Sequence, residues 1–95
     1  MITQVAITRV ARRGLEKAPP HVRDKFGIWV KTVRLFGLET ARSAASFHDE
    51  ALQGQRQGQR SIRLNKQWRA VYIQTPANTL LVTVLEVTAH DYRTR

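Results

Sequence analysis

The sequence predicts an α+β fold: a short N-terminal strand, two helices, then a three-stranded antiparallel meander forming a twisted sheet. Three observations carry that expectation. Val22, Phe26, Trp29, Val33 and Phe36 recur at spacings of four, three, four and three, the period of one helix face. Beyond residue 60 the period drops to two: Ile62 and Leu64 alternate with Ser61 and Arg63, and Val71 and Ile73 flank Tyr72. Two turn-forming clusters, Asn65-Lys66-Gln67 and Pro76-Ala77-Asn78, divide that half into three strands.

The elements follow in chain order. Residues 2–7 read as a strand. A first helix is expected over 8–17, with Thr8 as its cap and Ile7, Val10, Ala11 and Leu15 on one side; Gly14 makes it a poor helix in isolation. Pro19 and Pro20 break the chain and suit the first turn of the next helix, where no backbone donor is needed. That helix puts Arg23, Asp24, Lys31 and Arg34 opposite its apolar face, and Gly37 is a natural stop. Residues 38–47 have a blurred pattern, read as a short helix ending near Ser46. The polar stretch 53–59, QGQRQGQ, reads as a loop, and 79–87 is a strand rich in Val and Leu.

Ninety-five residues are expected to form one domain, 1–95, burying about 60–65% of the unfolded surface. Sixteen basic residues face seven acidic ones, for a net charge of +9, and twelve of the sixteen are Arg. Such a surplus suits a polyanion, because neutralising phosphates releases condensed counterions, and the planar guanidinium suits phosphate oxygens. A ribosome-surface role, or a basic surface with no partner, stays open. With no cysteine there is no disulfide framework, thiolate metal site or cysteine nucleophile, and His21 and His48 stand apart from other ligands, so neither a metal nor another cofactor is expected. No apolar run, Leu80-Leu81-Val82 before Thr83 included, is long enough to cross a bilayer, and the N-terminal residues lack a signal-peptide core; a cytoplasmic protein with no membrane partner is the expectation.

Between Glu50 and Glu86 there is no acid, while Arg56, Arg60, Arg63, Lys66 and Arg69 all fall in that window. The hairpin is therefore expected to present cations to an RNA backbone, with Trp68 available to stack on a base. The alternative is a charged face that merely keeps a sheet edge from aggregating. Cutting RNA through its own 2′-hydroxyl needs a base, cations for the charge growing on phosphorus and an acid for the leaving 5′-oxygen. Glu50 is the candidate base, Arg69 with Arg63 or Arg56 the charge stabilisers, and His90 or Tyr92 the acid; those two share a side in extended chain. Glu50 also fits a plain surface carboxylate, His90 an exposed terminal side chain, Tyr92 a cap on the sheet edge and Trp29 a core side chain. Glu86, inside the last strand, is expected to find an arginine partner.

The strings HDEALQG, RSIRLNKQWRAVY and LEVTAHDY, in this order and spacing over residues 47–92, resemble the core of RelE/HigB-type toxins. The resemblance implies a RelE-like fold and a ribosome-dependent messenger RNA endoribonuclease. It implies Glu50 as general base, Arg69 as transition-state stabiliser, His90 and Tyr92 as the acid or phosphate-orienting pair, and Arg56 and Arg63 as contacts to messenger or ribosomal RNA. It also implies action in the 30S A site and a cognate antitoxin as partner. Many relatives carry lysine in the loop where Gln53, Gln55 and Gln57 stand here, so a lysine-based scheme is not available. On the same fold, a ParE-like gyrase inhibitor or a non-catalytic RNA-binding module is the alternative.

Overall fold

The computed structural model describes residues 1–89. Strand β1 (Gln4–Ile7) leads into helix α1 (Arg9–Lys17), α2 (Pro20–Phe36) and α3 (Leu38–Ser43), followed by a 3-10 turn at Ala45–Phe47. Strands β2 (Glu50–Ala51), β3 (Arg60–Arg63), β4 (Arg69–Gln74) and β5 (Leu81–Thr88) complete the sheet, in the order β1-β5-β4-β3-β2. The expected meander is its centre, but the sheet has five strands rather than three. β1 runs parallel to β5, and the two residues of β2 pair antiparallel with β3. β1 is the strand expected over residues 2–7; β2 was not expected, because its two residues are too few to alternate and it takes its place from the ladder of β3.

Local chemistry accounts for the boundaries. The Thr8 hydroxyl accepts a hydrogen bond from the Ala11 amide at 3.0 Å, capping α1. Pro20 opens α2, and Gly37, at φ 89°, donates its amide to the Val33 carbonyl at the other end. The Asn65 side chain accepts from the amides of Gln67 and Trp68, and Asn78 from Leu80, closing the two hairpin turns.

All three helices lie on one face of the sheet. Val22, Phe26, Trp29 and Val33 of α2 are buried against Ile62, Leu64, Ala70, Tyr72, Val82, Val84 and Val87. Phe36, expected on the same stripe, is 62% exposed, and Val10 of α1 is 60% exposed. The last turn of α2 leaves Phe36 outside the core, and the side of α1 that meets β5 is set by Ala11 rather than Val10.

Gly14 shows how closely α1 sits on β5: a β-carbon there would lie 1.9 Å from the Val87 carbonyl oxygen. Gly14→Ala should therefore destabilise the protein by about 1–3 kcal/mol, although alanine favours the helix itself by about 1 kcal/mol. Urea denaturation measures this; a variant at least as stable as the parent would mean that α1 can lift without penalty.

Candidate ribonucleolytic face of the sheet

The face turned away from the helices is ordered by strand register. Directly paired residues share a face, so Glu50, Ser61, Val71 and Glu86 form one row across β2, β3, β4 and β5. Two residues along, Arg63, Arg69 and Thr88 form the next row. The Glu50 and Arg69 positions that the resemblance singles out are thus brought onto one surface, together with Arg63.

A β-bulge is what puts Glu86 there. Val82, Val84 and Glu86 are spaced for a single face, and simple alternation would drive the carboxylate into the core. The register shifts between Val71 and Tyr72: Tyr72 pairs with Val84, Val71 with Glu86, and Leu85 is left over. Thr8 holds the irregular segment, its hydroxyl donating to the Leu85 carbonyl at 2.8 Å and its amide to the Val84 carbonyl. Beyond the bulge Glu86 faces outward and Val87 returns to the core. There the Arg56 Nη2 lies 3.2 Å from Glu86 Oε1, the arginine partner expected for that carboxylate. Arg56 ends the 3-10 turn Gly54–Arg56, so this pair ties the 53–59 loop to the outward face.

The two acids bordering the acid-free stretch of sequence therefore return to the same face in space. Arg56, Arg63 and Arg69 meet Glu50 and Glu86, a mixed site rather than a uniformly positive one. Arg69 is only 1% exposed, although it lies outside the apolar core. Ser61, also fully buried, sits in the row beside Glu50, and its hydroxyl has no hydrogen-bond partner among the described residues. Its place beside Glu50, with Arg63 two residues along its own strand, was hidden in sequence, where it is one polar residue in an alternating strand.

Two of the expected RNA contacts lie elsewhere. Arg60 pairs with Tyr72 and so shares the helix side of the sheet. Its Nε donates to Asp49 Oδ1 at 2.6 Å, and the Tyr72 hydroxyl donates to Asp49 Oδ2 at 2.5 Å. Trp68 packs against the core from the same side. Lys66 is exposed at the tip of the β3–β4 turn. His90 and Tyr92 lie outside the described residues.

Asp49, not among the expected site residues, is the hub of a structural cluster, its carboxylate fully shielded from solvent. Burial, then the hydrogen bond to Asp49 and its charge, push the Tyr72 hydroxyl far above its ordinary pKa, with Arg60 and Arg42 pulling weakly the other way. For Arg60, desolvation is the largest effect and lowers the pKa, but Asp49 outweighs it and the net shift is upward.

A raised tyrosine pKa means that the folded state holds a proton which the unfolded state releases near pH 10. The stability it represents is complete below that pH and is lost as pH rises above it. Unfolding free energy should fall by up to about 1.4 kcal/mol per unit above roughly pH 10, and Tyr72→Phe should remove that component. Urea melts between about pH 8 and 11 measure it; parallel curves for parent and variant would rule it out.

Among the described residues no three His, Asp or Glu side chains group to hold a metal ion, and no helix is long and apolar enough to cross a membrane. No protein-family model and no curated protein matches the sequence. Solved structures do match. A YoeB/ParE toxin from Agrobacterium tumefaciens superposes with a TM-score of 0.72 at 16% identity, over 93% of this chain and 99% of that one. The RelE-like fold is shared. The RelE–RelB complex from Pyrococcus horikoshii OT3 matches at TM-score 0.68 and 18% identity, over 93% and 94% of the two chains. The toxin–antitoxin complex RelBE2 from Mycobacterium tuberculosis matches at 0.59 and 23%, over 93% and 98%. These neighbours are toxins, and the likeness extends along nearly the whole chain; at such identities it speaks for the fold.

Proposed function

We propose that the chain is a toxin that cuts messenger RNA on the ribosome by 2′-hydroxyl attack and is neutralised by an antitoxin. One observation carries the reading: a carboxylate, Glu50, lies one row from two arginines, Arg63 and Arg69, set directly opposite each other on the outward sheet face. Like charges so placed repel, and an anion above them is attracted to both. A phosphodiester seated on that row presents its phosphorus to the guanidinium groups and its ribose toward Glu50. Glu50 takes the proton from the 2′-oxygen as that oxygen bonds to phosphorus. The bond to the 5′-oxygen breaks, and His90 or Tyr92 supplies the leaving oxygen's proton. The products are a cyclic 2′,3′-phosphate and a free 5′-hydroxyl. DNA, without the 2′-hydroxyl, is left intact. Arg56 and Lys66 hold the flanking backbone.

A second reading rests on the burial of Arg69, which is 1% exposed and must be uncovered before it can touch phosphate. In that reading the fold acts without cleavage, as a gyrase inhibitor or an RNA-binding module. The deciding experiment adds the purified protein to in vitro translation of a defined message and maps breaks by primer extension. Breaks on translating ribosomes, suppressed when the RelB-type product of an adjoining gene is added, are the expected result. An intact message, with inhibition in a gyrase supercoiling assay, would establish the second reading instead.

A further inference from the structure

Asp49 immediately precedes Glu50, and in extended chain consecutive side chains point to opposite faces. Glu50 stands on the outward row with Ser61. The Asp49 carboxylate turns instead to the helix side, where it meets Arg60 and Tyr72, direct partners across β3 and β4. The strand that carries Glu50 is too short to be stable on its own ladder: β2 has two residues, lies at the sheet edge and pairs only with β3. Its backbone is therefore placed by side-chain anchors around it. Phe47 and Leu52 are buried on either side, and Lys25 donates to the Ser46 carbonyl at 2.8 Å. Between Phe47 and Asp49, His48 takes the left-handed conformation at φ 45°, which a residue with a β-carbon keeps only where its surroundings hold it.

Of these anchors, Asp49 is the one joined to Glu50 by a single peptide bond. Its two oxygens accept from Arg60 Nε at 2.6 Å and the Tyr72 hydroxyl at 2.5 Å, which fixes the carboxylate in position and in rotation. The side chain is fully shielded from solvent, and stability explains it poorly. A buried ion pair loses in desolvation much of what it gains in attraction, and apolar side chains of similar volume often do as well or better. What the two bonds add is direction. We infer that Asp49 is a positioning residue: gripped by Arg60 and Tyr72 on the helix side, it fixes β2 so that the Glu50 carboxylate meets the 2′-hydroxyl on the outward side. Arg60 and Tyr72 act on cleavage through Asp49 and touch no substrate. The inference rests on Glu50 being the base of the proposed reaction. A misplacement of about 1 Å can cost on the order of 10² in rate, so a small shift of β2 is enough to register.

The test measures cleavage by the full-length chain on ribosomes carrying a defined message, separating kcat from KM. Asp49→Asn keeps the shape of the side chain and gives up its charge and one acceptor oxygen. It should lower kcat per folded molecule by about 10–100-fold and leave KM unchanged, since Arg56, Arg63 and Arg69 stay in place. In a Glu50→Gln background the same substitution should change the residual rate by less than about twofold, because the group it positions is already gone. The Leu52 amide, bonded to the Gln59 carbonyl at 2.9 Å, should exchange with solvent faster relative to the amides of β4. Tyr72→Phe deletes one of the two bonds and keeps the ring in the core. It should show the same pattern at about three- to tenfold, and it carries the test if Asp49→Asn does not fold. A folded variant at the parental kcat, an equal loss in the Glu50→Gln background, or a change confined to KM would each overturn the inference. A parent chain that cuts no message overturns the nuclease reading as well; those three results on a cutting parent overturn this inference alone.

Discussion

Glu50→Gln is expected to slow message cleavage by about 10²–10⁴, the range for loss of a general base. Glutamine keeps the shape and hydrogen-bonding reach of the side chain and removes only its ability to take a proton. Glu50 is half-buried on the two-residue edge strand β2, opposite Ser61. One of its carboxylate oxygens is shielded from solvent, so the substitution is expected to cost about 0.5–2 kcal/mol, too little to alter the folded fraction of a domain with roughly 5–15 kcal/mol to lose. Activity should therefore collapse while urea denaturation shifts only slightly. Glu86→Gln is the internal control: that carboxylate lies on the same row, paired with Arg56, and its loss should chiefly alter substrate binding. If Glu50→Gln cleaves at the parental rate while Glu86→Gln does not, the base has been placed on the wrong end of the row.

The parts of this molecule legible in sequence are those where one local rule acts alone. The 3.6-residue period of Val22, Phe26, Trp29 and Val33, the Thr8 cap, the Gly37 stop and the two Asn-based turns required nothing from distant chain. The same rule overreached at Phe36 and Val10, which continue the period but stand exposed outside the core. Two-residue alternation found the central strands, yet it could not show that a bulge at Leu85 turns Glu86 outward. Nor could it place Arg60 and Trp68 on the helix side while Arg63 and Arg69 face out, since a strand's parity is visible only once its partners are known. The acid-free window was a true feature of the chain but a misleading one of the surface, because Glu50 and Glu86 close over it in space. Asp49 was passed over because its value lies in Arg60 and Tyr72, brought together only by the sheet.

Arg69→Ala is expected to lower cleavage by about 10²–10³, the loss seen when one donor to a developing oxyanion is removed. Arg69 begins β4, a central strand, with Arg63 opposite on one side and Thr88 on the other, so its backbone is fixed by ladders on both flanks. Its burial makes the stability question sharper than for Glu50. Truncating a fully buried side chain leaves a void, and a loss of about 2–4 kcal/mol is to be expected. A domain of this size has roughly 5–15 kcal/mol to lose; 2–4 kcal/mol from any but the bottom of that range leaves nearly every molecule folded at 25 °C. Unfolding then cannot account for a hundredfold loss of rate, and the two effects separate once activity is expressed per folded molecule. Arg69→Lys refines the assignment: it keeps the positive charge and loses the planar fork that grips two phosphate oxygens. An intermediate rate in that variant is expected if Arg69 meets the phosphate. Full activity of folded Arg69→Ala would make the buried guanidinium a structural cation, and Arg63, its half-exposed neighbour in the same row, would then be the residue on which the nuclease reading depends.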